Sequence, residues 1–325
     1  MKRLFIVYNP HSSRYSDVKK DVLDRQKIFK GFIVGKYEVE PTDVDKNATK
    51  FAKILKDGDL VISAGGDATG VIASNAILKA GKDVTLAVLP FGNFNDLSHT
   101  LGTETLEDVI EACGQKPFSS DRALGRAPLS VSEEKGFDHH HLYPLEIIVD
   151  GKLVRYATCY VTIGMMAEAV HLYDSPKMRK TLKSSFGRKI SSYTNLAGWY
   201  FKHRRKKTFL PDFKLNEKLQ PKKTSDYAAI NGKYLARIMK SEGNYEDPKI
   251  FRSETDRLTN FWRLSKLMFK SIFFKVPSSE TEGDCLEFLE PATVEFQAEG
   301  EYKTLTNIKK IEIRKGKKCL KVITK

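Results

Sequence analysis

Three short stretches in the first third of the chain combine glycine, hydroxyl, amide and acidic residues in a way that suits a polyphosphate. They are Asn9–Ser13, Gly65–Thr69 and Pro90–Asp96. Adjacent glycines such as Gly65 and Gly66 let backbone N–H groups approach a phosphate with no Cβ in the way. A helix that follows adds about half a positive charge at its N-terminus. The cost is backbone entropy, about 0.5–1 kcal/mol for each glycine relative to alanine. By themselves the two glycines also fit a tight turn, and Asn95 or Asp96 fits a helix N-cap. Asp67 beside phosphates would be repelled unless Mg2+ or a donated proton lies between them.

Such loops need strands that end where they begin. Arg3–Tyr8, Gly35–Val39, Asp59–Ala64 and Val84–Leu89 read as strands, with helices expected over Asp17–Phe29, Asp43–Leu55, Thr69–Lys79, Asp96–Leu101 and Leu106–Cys113. Short apolar strands alternating with helices imply an α/β fold with a parallel sheet covered on both faces, and ligands of such sheets bind at the strands' carboxyl ends. Asn9, Gly65 and Pro90 all fall there.

The pattern changes near Arg122. Tyr143–Gly164 reads as two strands joined at Asp150-Gly151, a strong hairpin signal. Helices are expected over Lys189–Arg205 and Asn260–Lys275, then strands over Thr293–Gln297, Ile308–Arg314 and Cys319–Ile323. Gly243–Arg257 reads as a long mobile loop, and Asp138–Tyr143, with its three histidines, as a junction loop without a metal assignment. The expected organisation is an N-terminal α/β nucleotide-binding domain over residues 1–123 and a β-rich second domain with helical inserts over residues 124–316.

Taken in order, Asn9-Pro10, Gly65-Gly66-Asp67-Ala68-Thr69 and Pro90-Phe91-Gly92-Asn93-Phe94-Asn95-Asp96, with Leu101-Gly102 behind them, resemble the diacylglycerol kinase catalytic-domain family. That family includes bacterial lipid kinases and sphingosine kinases. The resemblance continues through Cys159–Val170, Asn231-Gly232 and Glu299-Gly300-Glu301, where the family carries D-G-E. It implies transfer of the γ-phosphoryl group of MgATP to a lipid hydroxyl, on a diacylglycerol or sphingoid-type substrate, with the second domain as lipid acceptor. It also implies that Asn9, Thr42, Gly65, Gly66, Asp67, Ala68, Thr69, Asn93, Asn95 and Asp96 contact the nucleotide. Glu301 is then the general base with Glu299 in support, and a strand at about residues 317–325 returns to the first domain. Outside the resemblance the two glutamates read as exposed carboxylates near a turn.

The chain departs from the family at Ala68, where the family has glycine, and at Asn93-Phe94, where it has threonine and a small residue. If position 68 needs a positive φ, alanine there costs about 1 kcal/mol. A catalytically impaired relative therefore stays open as an alternative. NAD kinase is the other, since it shares the glycine-glycine-aspartate loop and the general fold but lacks the Pro90–Gly102 pattern. The metal-binding aspartate that the family carries in its second domain is not assigned, with Asp256 the one candidate.

At 325 residues, 41% hydrophobic and 30% charged, the chain has the composition of a soluble globular protein, and its net charge of +14 points to an anionic partner. No apolar stretch approaches the roughly 18 residues of a membrane span. Four scattered cysteines with no metal spacing suggest reduced thiols in a cytoplasmic setting. The basic run His203–Lys207 suits peripheral contact with an anionic membrane surface, where the lipid substrate would lie. Asn260–Val276 is a basic amphipathic segment whose wide apolar coverage favours a second-domain core helix over a membrane face. No nucleic-acid motif accompanies the charge, and no nucleic-acid partner is expected.

Overall fold

The computed structural model of the chain describes residues 2–12, 14–40, 43–92, 95–113, 139–168, 210–220, 224–235, 239–256, 262, 265–266, 269–270 and 274–325. The chain divides into two compact units. The first comprises Met1–Gly92, Leu101–Leu142 and Leu320–Lys325, and the second Asn93–Thr100 and Tyr143–Cys319. The architecture is α/β, a parallel-sheet N-terminal unit and a β-rich unit.

The first unit is a six-stranded sheet. In chain order its strands are β1 (Lys2–Tyr8), β2 (Phe32–Glu38), β3 (Leu60–Gly65), β4 (Thr85–Pro90), β5 (His140–Leu142) and, after the strands of the second unit, β18 (Leu320–Val322). They lie in the order β2-β1-β3-β4-β18-β5, parallel throughout except for the antiparallel β18–β5 pair. Leu60 to Gly65 are all buried, as a central strand covered on both faces requires. The helices are α1 (Tyr15–Val18), α2 (Val44–Ala52), α3 (Asp67–Ala80), α4 (Asp96–Leu101) and α5 (Leu106–Ala112). One core joins Leu4, Ile6, Leu60, Ile62, Ala87 and Leu89 of the sheet to Val18, Val22, Leu106 and Val109 of the helices.

The last strand is held by more than its ladder. Ile323 N donates to Leu86 O at 2.9 Å, and the Lys325 ammonium meets Asp108 at 2.7 Å. Burial pushes the Asp108 carboxyl up, but Lys325 and the amides of Glu104 and Thr105 outweigh it and bring the group down to about 2.

Several expectations are corrected. The single helix foreseen over Asp17–Phe29 breaks into α1, a wide π turn at Lys19–Leu23 and a 3-10 turn at Gln26–Ile28. The buried positions of this segment are Val18, Val22, Leu23 and Phe29. The histidine segment is not a loop, because His140–Leu142 forms the sheet edge on β18.

The second unit is a ten-stranded sheet. It contains β6 (Leu145–Val149), β7 (Lys152–Ala157), β8 (Tyr160–Gly164), β9 (Phe213–Leu215), β10 (Lys218–Leu219) and β11 (Thr224–Ile230). β12 (Tyr234–Leu235) and β13 (Met239–Lys240) form a separate ribbon, and β14 (Ile250–Asp256), β15 (Ser279–Thr281), β16 (Gly283–Ala298) and β17 (Glu301–Lys315) complete the main sheet. The order is β15-β14-β11-β8-β16-β17-β6-β7, with β9 on β16 and β10 on β9. Asp150 and Gly151 have φ of 47° and 79° and close the β6–β7 hairpin as the dipeptide requires.

Tyr143–Gly164 holds three strands where two were expected, because the chain breaks at Thr158-Cys159 between β7 and β8. The supposed mobile loop contains β14, whose charges hid it: Arg252 pairs with Glu254 and with the buried Asp284, both at 3.0 Å. The expected helix over Lys189–Arg205 lies outside the described residues. Residues 262, 265, 266, 269 and 270 are helical, but Trp262 and Phe269 are exposed, against the expectation of a core helix. Among the described residues no helix is long and apolar enough to cross a membrane.

Candidate active site

The carboxyl ends of β1, β3 and β4 carry the three loops picked out by their composition, and the first unit draws them together. Phe91 N donates to Gly65 O at 3.0 Å, tying the β4 loop to the β3 loop. A Cβ on Gly66 would lie 3.1 Å from the Cα of Gly92, so these two loops touch backbone to backbone. Arg14, beyond the β1 loop, donates to Pro90 O at 3.0 Å and lies 5.6 Å over the Phe91 ring. Asp17 orients that guanidinium from 2.8 Å. Arg14 and Phe91 went unassigned in the sequence because nothing local links Arg14 to the β4 loop, whose Pro90 is 76 residues away.

The glycines therefore have a physical reason that precedes any ligand. Gly66 has an extended backbone, φ −91° and ψ −170°, so close approach and not a left-handed turn excludes a side chain there. At Gly65 a Cβ would fall 2.3 Å from Thr69 Oγ1. Thr69 is buried, its side chain packed on the strand end.

Helix α3 starts from this point without a side-chain cap, since Gly66 is its N-cap residue. Its neighbours differ: Asp43 caps α2 by accepting from Asp45 N, and Thr105 and Asp108 form a reciprocal capping box on α5. The N-terminus of this 14-residue helix, with the positive end of its dipole, lies at the loop cluster. Asp67 occupies the first turn, where a carboxylate also complements the dipole. Ala68 is helical and exposed, and it is absent from the positive-φ residues, so the conditional strain expected at this position does not exist.

Of the other sequence candidates, Asn9 accepts from His11 N at 2.9 Å and shapes its own loop. Asn95 has a left-handed φ of 59°, and both Asn95 and Asp96 are buried. Thr42 and Asn93 lie outside the described residues, as do Phe94 and the His203–Lys207 run.

The acid pair belongs to the second unit. Glu299 and Gly300, with φ of 50° and 87°, form the two-residue turn between β16 and β17, and Ala298 pairs with Glu301 across it. The two glutamates are not alike. Glu299 is buried, correcting the picture of two exposed carboxylates. Its Oε1 accepts from Thr158 N at 2.8 Å and also from the Thr158 hydroxyl and Cys159 N. From the other side Asn231 Nδ2 donates to Thr158 O at 2.7 Å, while Asn231 N and Gly232 N donate to Cys159 O. The break between β7 and β8 is thus gripped on its amides by the hairpin tip and on its carbonyls by the Asn231-Gly232 strand end. Glu301 is partly exposed and ion-paired with Arg155, whose side chain is 2% exposed. Arg155 was passed over because a lone arginine in an apolar strand carries no pattern of its own.

The thiols hold no place in this chemistry. All four cysteines are free, and burial pushes the Cys113 thiol up to about 12. Among the described residues no group of three or more His, Cys, Asp or Glu is placed to hold a metal ion.

Residues 3–119 match the family model for the diacylglycerol kinase catalytic domain. A diacylglycerol kinase of Bacillus subtilis is 35% identical over 116 residues, 34% of this chain and 37% of that protein. A mitochondrial acylglycerol kinase of Xenopus laevis is 26% identical over 148 residues, 43% of this chain and 34% of that protein. The alignments thus span little more than a third of these curated relatives. A solved diacylglycerol kinase structure from Bacillus anthracis shares the fold over 100% of this chain and 97% of its own, at TM-score 0.61 and 16% identity. A second Bacillus anthracis structure gives 0.62 at 17%, over 100% of this chain and 97% of its own.

Proposed function

We propose that this chain, with residues 3–119 matching a diacylglycerol kinase catalytic domain, is an ATP-dependent lipid kinase that phosphorylates a lipid hydroxyl. The observation that carries the reading is the start of α3: a helix without a side-chain cap, entered through Gly65, packed on Thr69, and Gly66, packed on Gly92. Backbone amides at such a place favour phosphate oxygens, and phosphoryl transfer asks mainly for positioning and charge neutralisation.

The residues fit the group they would hold. Gly65, Gly66, Asp67, Ala68 and Thr69 form the candidate triphosphate cradle, with Asn9, Thr42, Asn93, Asn95 and Asp96 as further candidate contacts. Asp67 is the candidate acid toward Mg2+. Bound MgATP supplies the phosphoryl group and the metal's neutralising charge. The chain itself orients the phosphates on α3, keeps the β4 loop in place through Arg14, and accepts the acceptor hydroxyl's proton on Glu301. Arg155 fixes the orientation of that carboxylate. Glu299, spent on the amides of Thr158 and Cys159, acts as a positioning residue.

The acceptor is a glycerolipid or a sphingoid lipid held in a membrane. Peripheral contact through the His203–Lys207 run, on the cytoplasmic side, belongs to the same proposal. Incubation with MgATP and a mixed lipid extract, followed by mass detection, tests it. The expected result is a new phospholipid from the wild type and a 10²–10⁴-fold slower reaction for Glu301→Gln. No product, together with no shift in melting temperature on adding ATP, would overturn the reading.

A further inference from the structure

The described residues expose eight large apolar side chains, and the three aromatic ones, Trp262, Phe269 and Phe274, all fall between positions 262 and 274. Five aliphatic residues scattered over the surface need no explanation, whereas three aromatics within one short segment do. Trp262 is 77% exposed, Phe269 53% and Phe274 65%. Residues 262, 266 and 269 are helical and spaced by four and three, so Trp262, Lys266 and Phe269 share one stripe, with Lys270 beside it. Ser265, buried, marks where that stripe turns inward.

The charge of the segment has one sign. Between Arg257 and Glu280 the sequence holds Arg263, Lys266, Lys270 and Lys275 and no acid. Lys266, Lys270 and Lys275 are exposed; Lys275 reaches Glu242 from a different segment at 3.4 Å. The end of the segment is fixed to the unit, because Val276 is buried and its N–H donates to Lys240 O at 2.8 Å. Phe274 N donates to Lys270 O at 2.8 Å.

We propose that Trp262, Lys266, Phe269, Lys270 and Phe274 form a docking face for an anionic lipid bilayer. Aromatic rings with an apolar body suit the headgroup boundary, and lysines among them meet anionic phosphates there. A second copy of this chain is a poorer occupant. A two-fold contact would set the same lysines against each other, with no acid in the stretch between Arg257 and Glu280 to answer them. This surface includes none of the residues proposed to hold a nucleotide, and its action needs no turnover.

The chain has two tryptophans, Trp199 and Trp262, so Trp199→Phe makes Trp262 the sole reporter. The full chain is mixed with vesicles of phosphatidylcholine alone, or with added phosphatidylserine, in the absence of ATP and diacylglycerol. The expected result is a blue shift of Trp262 emission on the anionic vesicles only. Binding, read for every variant by co-sedimentation with the vesicles, should fall at least tenfold in Lys266→Glu/Lys270→Glu and at least fivefold in Trp262→Ala/Phe269→Ala, each checked for native circular dichroism. Unchanged binding in both double variants overturns the proposal, as does salt-independent binding to neutral vesicles. Sedimentation as a dimer that these substitutions dissociate would assign the face to a second copy instead. Loss of kinase activity would leave every one of these readouts intact.

Discussion

Glu299 Oε1 accepts the amide of Thr158 at 2.8 Å, although 141 residues separate the two in sequence. The same oxygen takes the Thr158 hydroxyl and the Cys159 amide, so a carboxylate in a left-handed turn position holds the break between two strands. Glutamate is a costly choice at φ 50°, where Asn or Asp is favoured, and its length is what reaches those donors. Glu299→Ala leaves buried donors unsatisfied and should cost about 3 kcal/mol in denaturant unfolding. A loss under 0.5 kcal/mol would show that the grip on Thr158 contributes little.

The cradle makes a prediction opposite to the one a family comparison suggests. Ala68→Gly restores the family's residue, yet Ala68 is helical and exposed, without a positive φ to relieve. The substitution should lower stability by about 0.5–1 kcal/mol through helix propensity. Thermal denaturation reads this directly, and a stabilised variant would mean that the alanine is strained after all.

Gly66→Ala should act on the loops. Its methyl meets Gly92 Cα at 3.1 Å, and backbone cannot rotate away as a side chain can. The β3 and β4 loops are pushed apart, and the melting shift given by ATP in the wild type should be lost while the fold persists. An ATP-induced shift equal to the wild type's would remove the close approach from the account of binding.

Arg14→Ala removes the hydrogen bond to Pro90 O and the contact with Phe91. Loss of one such tie costs about 1–2 kcal/mol, and because it positions a loop without touching the acceptor, KM for ATP should rise more than kcat falls. Steady-state kinetics at varied ATP separates the two. A fall in kcat alone would give Arg14 a different role.

Acid should loosen the return of the last strand. Asp108 titrates at about 2 in the folded chain against an ordinary 3.8, so it binds its proton more readily when unfolded. Its contribution, on the order of 2 kcal/mol, is fully present above about pH 4 and disappears as the pH falls through 2. Lys325→Met should remove part of that dependence, leaving a flatter stability curve between pH 4 and 2. Superimposable curves for variant and wild type would show that the ammonium does not hold Asp108 down.

The sequence by itself determined the alternation of strands and helices in the first unit, the placing of Asn9, Gly65 and Pro90 at strand ends, and the turn at Asp150-Gly151. These are legible because hydrophobic period and turn chemistry are local, and each follows from a few neighbouring residues. Tertiary structure alone decided that Thr69 fills the space over Gly65, that Ala68 is unstrained, that Arg14 reaches Pro90, and that Arg155 meets Glu301 from 146 positions away. It also slotted β18 between β4 and β5 and turned Trp262 outward. Each of these depends on the register between elements distant in the chain. Burial periodicity says which side of an element faces inward, and not which residue of another element it will meet there.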